Sequence, residues 1–237
     1  MKLKVLGSSS KGNGYLFENE DSALIIECGL PIIEIKKVID FKLSKIQGAL
    51  CTHSHKDHSG FVQQYLDSGI KVFADLEGIK HHNLHSIQPV LQIGAWKIKC
   101  FEVVHDVKCY GFLLKHPESG VTLFLTDTMY SPVKFEGLNN IMVEANYDQK
   151  ILDENILAGR IPAVVRNRII QSHISLKTCK EMLMANDLSC VLNIVLLHLS
   201  DGNSDSKRFK QEIESLTGKR TYVADKNMII DFNNKPF

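Results

Sequence analysis

The sequence predicts an α/β fold in which two sheets pack face to face and helices cover the outside. Three observations carry this expectation. Apolar residues make up 44% of the 237-residue chain and charged residues 23%, an ordinary globular balance that supplies a core. The first half is a run of short strand-like segments divided by turn residues. The second half alternates strands with helical stretches, and strands followed by helices pack in layers of this kind. No Pro/Gly/Ser linker and no repeat divides the chain, so residues 1–237 are expected to form one domain.

The elements follow in order. Residues 2–6, 15–18 and 22–27 read as strands, with Gly12-Asn13-Gly14 and residues 19–21 as the turns between them. Residues 31–39 open with Pro at a helix start and repeat Ile and Val at helical spacing. A buried strand over 46–51 runs into a polar patch. A helix over 59–66 and a strand over 71–74 come next. Four more strands are expected at 90–93, 96–104, 111–116 and 121–126. A strand at 140–144 precedes helices at 148–157, 164–171 and 176–184. The strongly apolar 191–197 is a strand, 205–216 a helix and 220–224 a closing strand.

Composition also excludes. Lys+Arg 28 against Asp+Glu 27 leaves a net charge of +1, which is not the surface of a protein that coats long nucleic acid by charge alone. No apolar run reaches the roughly 18–20 residues of a membrane span. Ser8, Ser9 and Ser10 interrupt the start where a signal peptide needs its apolar stretch, so a cytoplasmic protein is expected. The six cysteines are scattered without a CxxC pair and are expected to be free thiols.

The chemistry concentrates in Thr52-His53-Ser54-His55-Lys56-Asp57-His58-Ser59-Gly60. In extended backbone, side chains two residues apart point the same way, so His53 and His55 offer two nitrogens to one ion. Asp57 and His58, from the turn before the next helix, offer an oxygen and a nitrogen to a second. Imidazole and carboxylate suit zinc, and also iron or manganese. A solvated polar loop is the bland alternative, and three His with one Asp directly after a buried strand argue against it. A further grouping, His81, His82 and His85, has no acidic partner and reads as a solvated helix face.

The patch His53-x-His55-x-Asp57-His58 resembles the signature of the metallo-β-lactamase-fold hydrolases. Val104-His105-Asp106, the run Leu123-Phe124-Leu125-Thr126-Asp127, and Val195-Leu196-Leu197-His198 match its remaining motifs in order. The resemblance implies an αββα sandwich and two transition-metal ions, zinc first and manganese second. It assigns His53, His55 and His105 to one ion and Asp57, His58 and His198 to the other, with Asp127 bridging. One departure is Glu27-Cys28-Gly29, where the family commonly carries Asp-x-Gly. If that acid supports a metal-ligating His, Glu27 must do so with a longer side chain.

The substrate class follows from narrower likenesses. Met142-Val143-Glu144-Ala145-Asn146 and Ser172-His173-Ile174-Ser175 resemble segments of ribonuclease Z proteins, which implies that Glu144 orients His173 and that His173 protonates a leaving oxygen. Locally, a strand-end Glu and a helix-start His with Ser175 as cap explain the same residues. Across the chain, Gly7-Ser8-Ser9-Ser10-Lys11-Gly12-Asn13, Arg160-Ile161-Pro162, Arg168-Ile169 and His198-Leu199-Ser200 with Asn203 resemble the small YycJ/WalJ-like exonuclease branch. The phage anti-Pycsar phosphodiesterases, homodimers that open cyclic nucleotides, are similar in size and metal motifs. The expectation is therefore a two-metal phosphodiesterase with Asp57, Glu144 and His173 as catalytic residues and Arg166, Arg168 and Asn203 binding substrate. Near-neutral charge favours a cyclic nucleotide over an exonuclease's single strand. Thioester or lactam hydrolysis is a further alternative. A homodimer is expected through residues 148–171, with Arg160 or Arg166 lent to the partner's site.

Overall fold

The computed structural model describes residues 1–131 and 133–235. Its first half contains β1 (Lys2–Ser9), β2 (Gly12–Glu18), β3 (Ala23–Ile26), α1 (Ile32–Val38), β4 (Ile46–Leu50), α2 (Lys56–Ser59), α3 (Val62–Asp67), β5 (Val72–Phe73) and β6 (Leu84–His85). Then come β7 (Val90–Ile93), β8 (Trp96–Val103), β9 (Cys109–His116), β10 (Gly120–Leu125) and β11 (Asn140–Glu144). Helices α4 (Gln149–Leu157), α5 (Ala163–Ser172) and α6 (Leu176–Met184) lead to β12 (Asn193–Leu197), α7 (Ser206–Thr217), β13 (Arg220–Val223) and β14 (Ile229–Asp231).

Two seven-stranded sheets result, in the orders β14-β1-β2-β3-β4-β5-β6 and β13-β12-β11-β10-β9-β8-β7. The central strands β3 and β12 are buried residue for residue because both of their faces are covered, whereas β7 and β8 alternate buried and exposed side chains. In β12, Val195 and Leu197 enter the core between the sheets, while Ile194 and Leu196 face the layer that holds Leu183 of α6 and Phe209 of α7. In β3, Leu24 and Ile26 face the central core and Ile25 faces a third layer with Ile35 of α1 and Tyr65 of α3. This is the αββα sandwich the resemblance implies. No helix among the described residues is long and apolar enough to cross a membrane, and the six cysteines are free.

Two local expectations are corrected, and two strands are added. The helix expected over 59–66 is broken into α2 and α3 at Gly60 and Phe61. The Phe61 N–H donates to the Cys28 carbonyl at 3.0 Å, so it leaves the helical ladder. His81, His82 and His85 share no helix: the Asn83 N–H donates to His81 Nδ1 in a turn, and Leu84–His85 pairs in parallel with Val72–Phe73. β6 and β14 are short edge strands that the pattern does not announce.

The topology places the functional ends together. β3, β4, β10, β11 and β12 all belong to parallel pairs, and β8 runs parallel to β10 through the two antiparallel partners of β9. Their carboxyl ends therefore meet along one rim, the edge where α/β sheets carry their ligand sites.

Candidate metal centre

Three of these strand ends turn through left-handed backbone. Glu27 (φ 71°), Asp127 (φ 48°) and His198 (φ 52°) each follow a strand directly or by one residue. None is glycine, so each conformation costs roughly 1–2 kcal/mol and is held by the packing around it. The reversal turns each side chain inward, where all three residues are buried. Gly29 completes the first turn. A Cβ there would lie 1.7 Å from the Asp57 carbonyl oxygen, so only glycine lets the two segments touch.

His53, His55, Asp57, His58, His105, Asp127, Glu144, His173 and His198 come together on this rim. Donor atoms of His53, His55 and His105 lie within 4.8 Å of one another, as do those of Asp57, His58 and His198. Asp127 sits between the two groups: it joins His53 and His58 in a third such set, and its Oδ2 is 3.1 Å from His58 Nε2. On its other side, Asp127 Oδ1 lies 3.3 Å from His173 Nδ1 and 4.0 Å from His198 Nδ1.

The donors fit a metal pair. His53 Nε2 and His105 Nδ1 are buried without a hydrogen-bond partner, a costly state for a polar atom that an ion would relieve. Burial, with His58 adjacent, drives the His53 imidazole down to about 2, so its nitrogen is a free lone-pair donor. Burial works against the Asp57 carboxylate, yet hydrogen bonds from His198 and His58 hold it well below the usual range. Burial likewise opposes charge on His173 and His198. The Glu144 and Asp127 carboxylates outweigh it for His173, raised to about 10. Asp127, Asp57 and Glu144 do the same for His198, raised to about 9.

A surrounding ring fixes these side chains. Glu27 Oε1 accepts from Thr52 Oγ1 at 2.6 Å and lies 3.2 Å from His58 Nδ1, while Oε2 accepts the Thr52 N–H. The longer acid thus reaches the imidazole that the family's Asp-x-Gly acid is expected to support. Asn13 Nδ2 lies 3.0 Å from His58 Nε2 and donates to the Asp57 carbonyl. Asn146 Nδ2 donates to the His198 carbonyl at 2.7 Å, and the His198 N–H donates to Ser8 Oγ at 2.9 Å. Asp106 Oδ1 lies 3.0 Å from His105 Nε2 and 3.3 Å from His55 Nε2. Sequence reading gave Asn13, Thr52, Asn146 and Asp106 no role. Asn13, Asp106 and Asn146 do stand inside segments that the resemblance quotes, which is the signal that was available.

Glu144 ends β11 fully buried. Its Oε1 is 2.7 Å from His173 Nδ1 and its Oε2 accepts the Ile174 N–H at 3.0 Å. His173 is the last backbone donor of α5, and its ring stacks on His198 at 5.4 Å. Ser175 also caps α6 by accepting the Thr178 N–H, so the local explanation and the paired geometry hold together. The cleft over these groups has a volume of about 130 Å³, and Arg168 and Ser10 line it.

Arg166 and Asn203 are not brought to the cleft. Arg166 Nε pairs with Asp153 of α4 at 2.8 Å. Asn203 is buried in a tether: its Oδ1 accepts from Asn155 Nδ2 and its carbonyl accepts the Asp148 N–H. Arg160 Nη1 donates to Asn155 Oδ1 within the same chain.

Comparison with known proteins agrees with the fold. The profile of the Metallo-beta-lactamase superfamily matches residues 10–74. Exodeoxyribonuclease WalJ of Streptococcus pneumoniae is 26% identical over 227 residues, covering 86% of this chain and 83% of its own. The structure of the metallo-beta-lactamase fold protein YhfI from Bacillus subtilis superposes with a TM-score of 0.74 at 17% identity, covering 97% of this chain and 98% of that one. A diphosphatase from the PhnP family gives 0.67 at 14% identity, covering 98% of each. The chain is a metal-dependent hydrolase of the metallo-β-lactamase fold.

Proposed function

We propose that this hydrolase is a dinuclear phosphodiesterase acting on nucleotide phosphodiester bonds. The observation that carries the reading is the His173–Glu144 pair at 2.7 Å on the rim of the metal cleft. A thioester hydrolase has the same need for metals but no need for this second acid, because a thiolate is a less basic leaving group than an alkoxide.

His53, His55 and His105 would hold one divalent ion and Asp57, His58 and His198 the other, with Asp127 between them; zinc suits this donor set and manganese is the alternative. Such ions supply Lewis acidity and make water acidic enough to ionise near neutral pH. The chain's own residues supply the rest. Arg168 faces the phosphoryl oxygens from the cleft wall and offsets their charge. Glu144 accepts the His173 Nδ1–H, which fixes the ring and leaves Nε2 to carry the proton. That proton passes from His173 Nε2 to the leaving oxygen as the P–O bond breaks. Asp57, held by His198 and Asn13, keeps the opposite wall in register.

The net charge of +1 supports a small diester, a cyclic nucleoside monophosphate, as substrate, because gripping a long strand takes a basic stripe. The likeness to WalJ favours the alternative, exonuclease action at the end of a single strand. Incubating metal-loaded protein with cyclic nucleotides and with single-stranded DNA, each read by chromatography, tests both. Linear monophosphate from the first supports the cyclic reading, mononucleotides from the second support the exonuclease, and turnover of neither refutes the proposal. Pairing of two chains through α4 and α5 belongs to the same reading, because Leu157 there is 88% exposed and apolar. Arg160 and Arg166 are engaged within the chain, so the pairing does not include their loan to a partner. Light scattering that finds a monomer at micromolar concentration would contradict the dimer.

A further inference from the structure

We infer that a second pocket, opening from the metal cleft along α5, seats the nucleoside attached to the scissile phosphate; this rests on the phosphodiesterase reading above. The cleft itself, about 130 Å³, lies well below the roughly 300–1,000 Å³ of pockets that bury a small organic ligand. It accommodates a phosphoryl group and little more. The adjoining space is about 590 Å³, and His105, Asp106, Arg168 and Ser172 form walls of both. A group bonded to a phosphate in the cleft therefore has a continuous path into it.

The lining has the chemistry of a nucleoside. Val164, Asn167, Arg168 and Gln171 occupy positions i, i+3, i+4 and i+7 of α5 and form one stripe on its surface. Val104 and Met129 complete the pocket. Val164 is 79% exposed, Val104 40% and Met129 36%, three apolar side chains left open beside the site. Apolar surface gathered at a site marks binding, whereas single exposed apolar residues need no explanation. A nucleobase has apolar faces and a polar edge that both donates and accepts. Val104, Met129 and Val164 match the faces. The Asn167 and Gln171 amides, each a donor and an acceptor, match the edge. Arg168, at the junction, falls where the phosphate joins the sugar. One helix thus carries the base contacts, the phosphate cation and, at its end, His173.

Calorimetric titration of zinc-loaded protein with adenosine 5′-monophosphate, ribose 5-phosphate and inorganic phosphate tests this directly. The mononucleotide should bind at least about ten-fold more tightly than ribose 5-phosphate. The doubly substituted Asn167→Ala/Gln171→Ala protein, and separately Val164→Asp, should lose about five-fold or more in mononucleotide affinity. Their affinity for inorganic phosphate should stay within about two-fold of the parent. All three positions are on the surface, and an unchanged thermal midpoint excludes misfolding. Equal affinities for mononucleotide and ribose 5-phosphate, or variants that bind the mononucleotide like the parent, would overturn the pocket. Selective mononucleotide binding without hydrolysis of any nucleotide diester would instead overturn the phosphodiesterase reading and leave the pocket standing.

Discussion

Replacing Glu27 by aspartate would restore the acid the family commonly carries, and it should nevertheless damage this site. Glu27 is fully buried, and its carboxylate takes the Thr52 hydroxyl at 2.6 Å and the Thr52 N–H at 3.2 Å. Aspartate withdraws the carboxylate by about 1.5 Å, one C–C bond. The hydroxyl bond is then lost, and a hydrogen bond to a charged group contributes about 1.5–3 kcal/mol. The missing methylene adds about 1 kcal/mol of cavity cost. Aspartate tolerates the φ of 71° better than glutamate, which returns a few tenths. A net loss of about 2–4 kcal/mol is expected in urea unfolding of the metal-free protein. Because Glu27 also lies 3.2 Å from His58 Nδ1, zinc affinity in a chelator competition should fall about 10–100-fold. Glu27→Gln keeps the length and one acceptor, so it should lose less stability while still weakening the metal. An aspartate variant with parental unfolding midpoint and zinc affinity would refute the reasoning.

Elemental analysis of active protein should find two transition-metal ions per chain, and Asp127→Ala should lose both more readily than any single His substitution, since Asp127 lies between the two donor groups. One ion in fully active protein would exclude the dinuclear site. Away from the site, burial would raise the Glu18 carboxyl, but the ammonium groups of Lys4 at 2.5 Å and Lys45 at 3.0 Å lower it below its ordinary value. A depressed carboxylate stabilises the fold above its unfolded pKa and loses that contribution as pH falls through its folded one. Lys45→Met should therefore cost about 1 kcal/mol at neutral pH, and the gap to the parent should close below about pH 4 in acid titrations followed by circular dichroism. A gap that is constant with pH would mean that packing of the lysine stem accounts for the loss.

Elements with a clear apolar pattern were legible in the sequence. β7, β11 and α6 fall on the expected residues, because their apolar periods are undisturbed and Ser175 marks a helix start. β6 and β14, of two and three residues, owe their strand character to a neighbouring strand and not to their own composition. The histidine spacing at 81 and 85 matched a helix that backbone pairing with β5 overrides. The donor residues of the site were legible for a related reason. His53, His105, Asp127, Glu144 and His198 stand at or shortly after the end of a strand, where a polar residue is conspicuous, and His55, Asp57 and His58 share the patch that His53 opens. The groups that hold them were not. Asn13 meets His58 across 45 residues and Ser8 meets His198 across 190, so only the closed fold brings them together. Arg166 shows the reverse error. It looked free for phosphate until the packing of α5 on α4 set Asp153 against it.

The central claim is that His173, oriented by Glu144, serves phosphodiester chemistry, and leaving-group dependence tests it most directly. Turnover of a natural nucleotide diester and of bis-p-nitrophenyl phosphate should be compared in His173→Ala, with metal content measured in parallel. An alkoxide leaving group needs a positioned proton, so the loss on the natural diester should be about 10²–10⁴-fold. p-Nitrophenolate departs without one, and the loss on the activated diester should be far smaller. Glu144→Gln should repeat the pattern more weakly. Equal losses on both substrates, with the metals retained, would make His173 a structural residue and contradict the account.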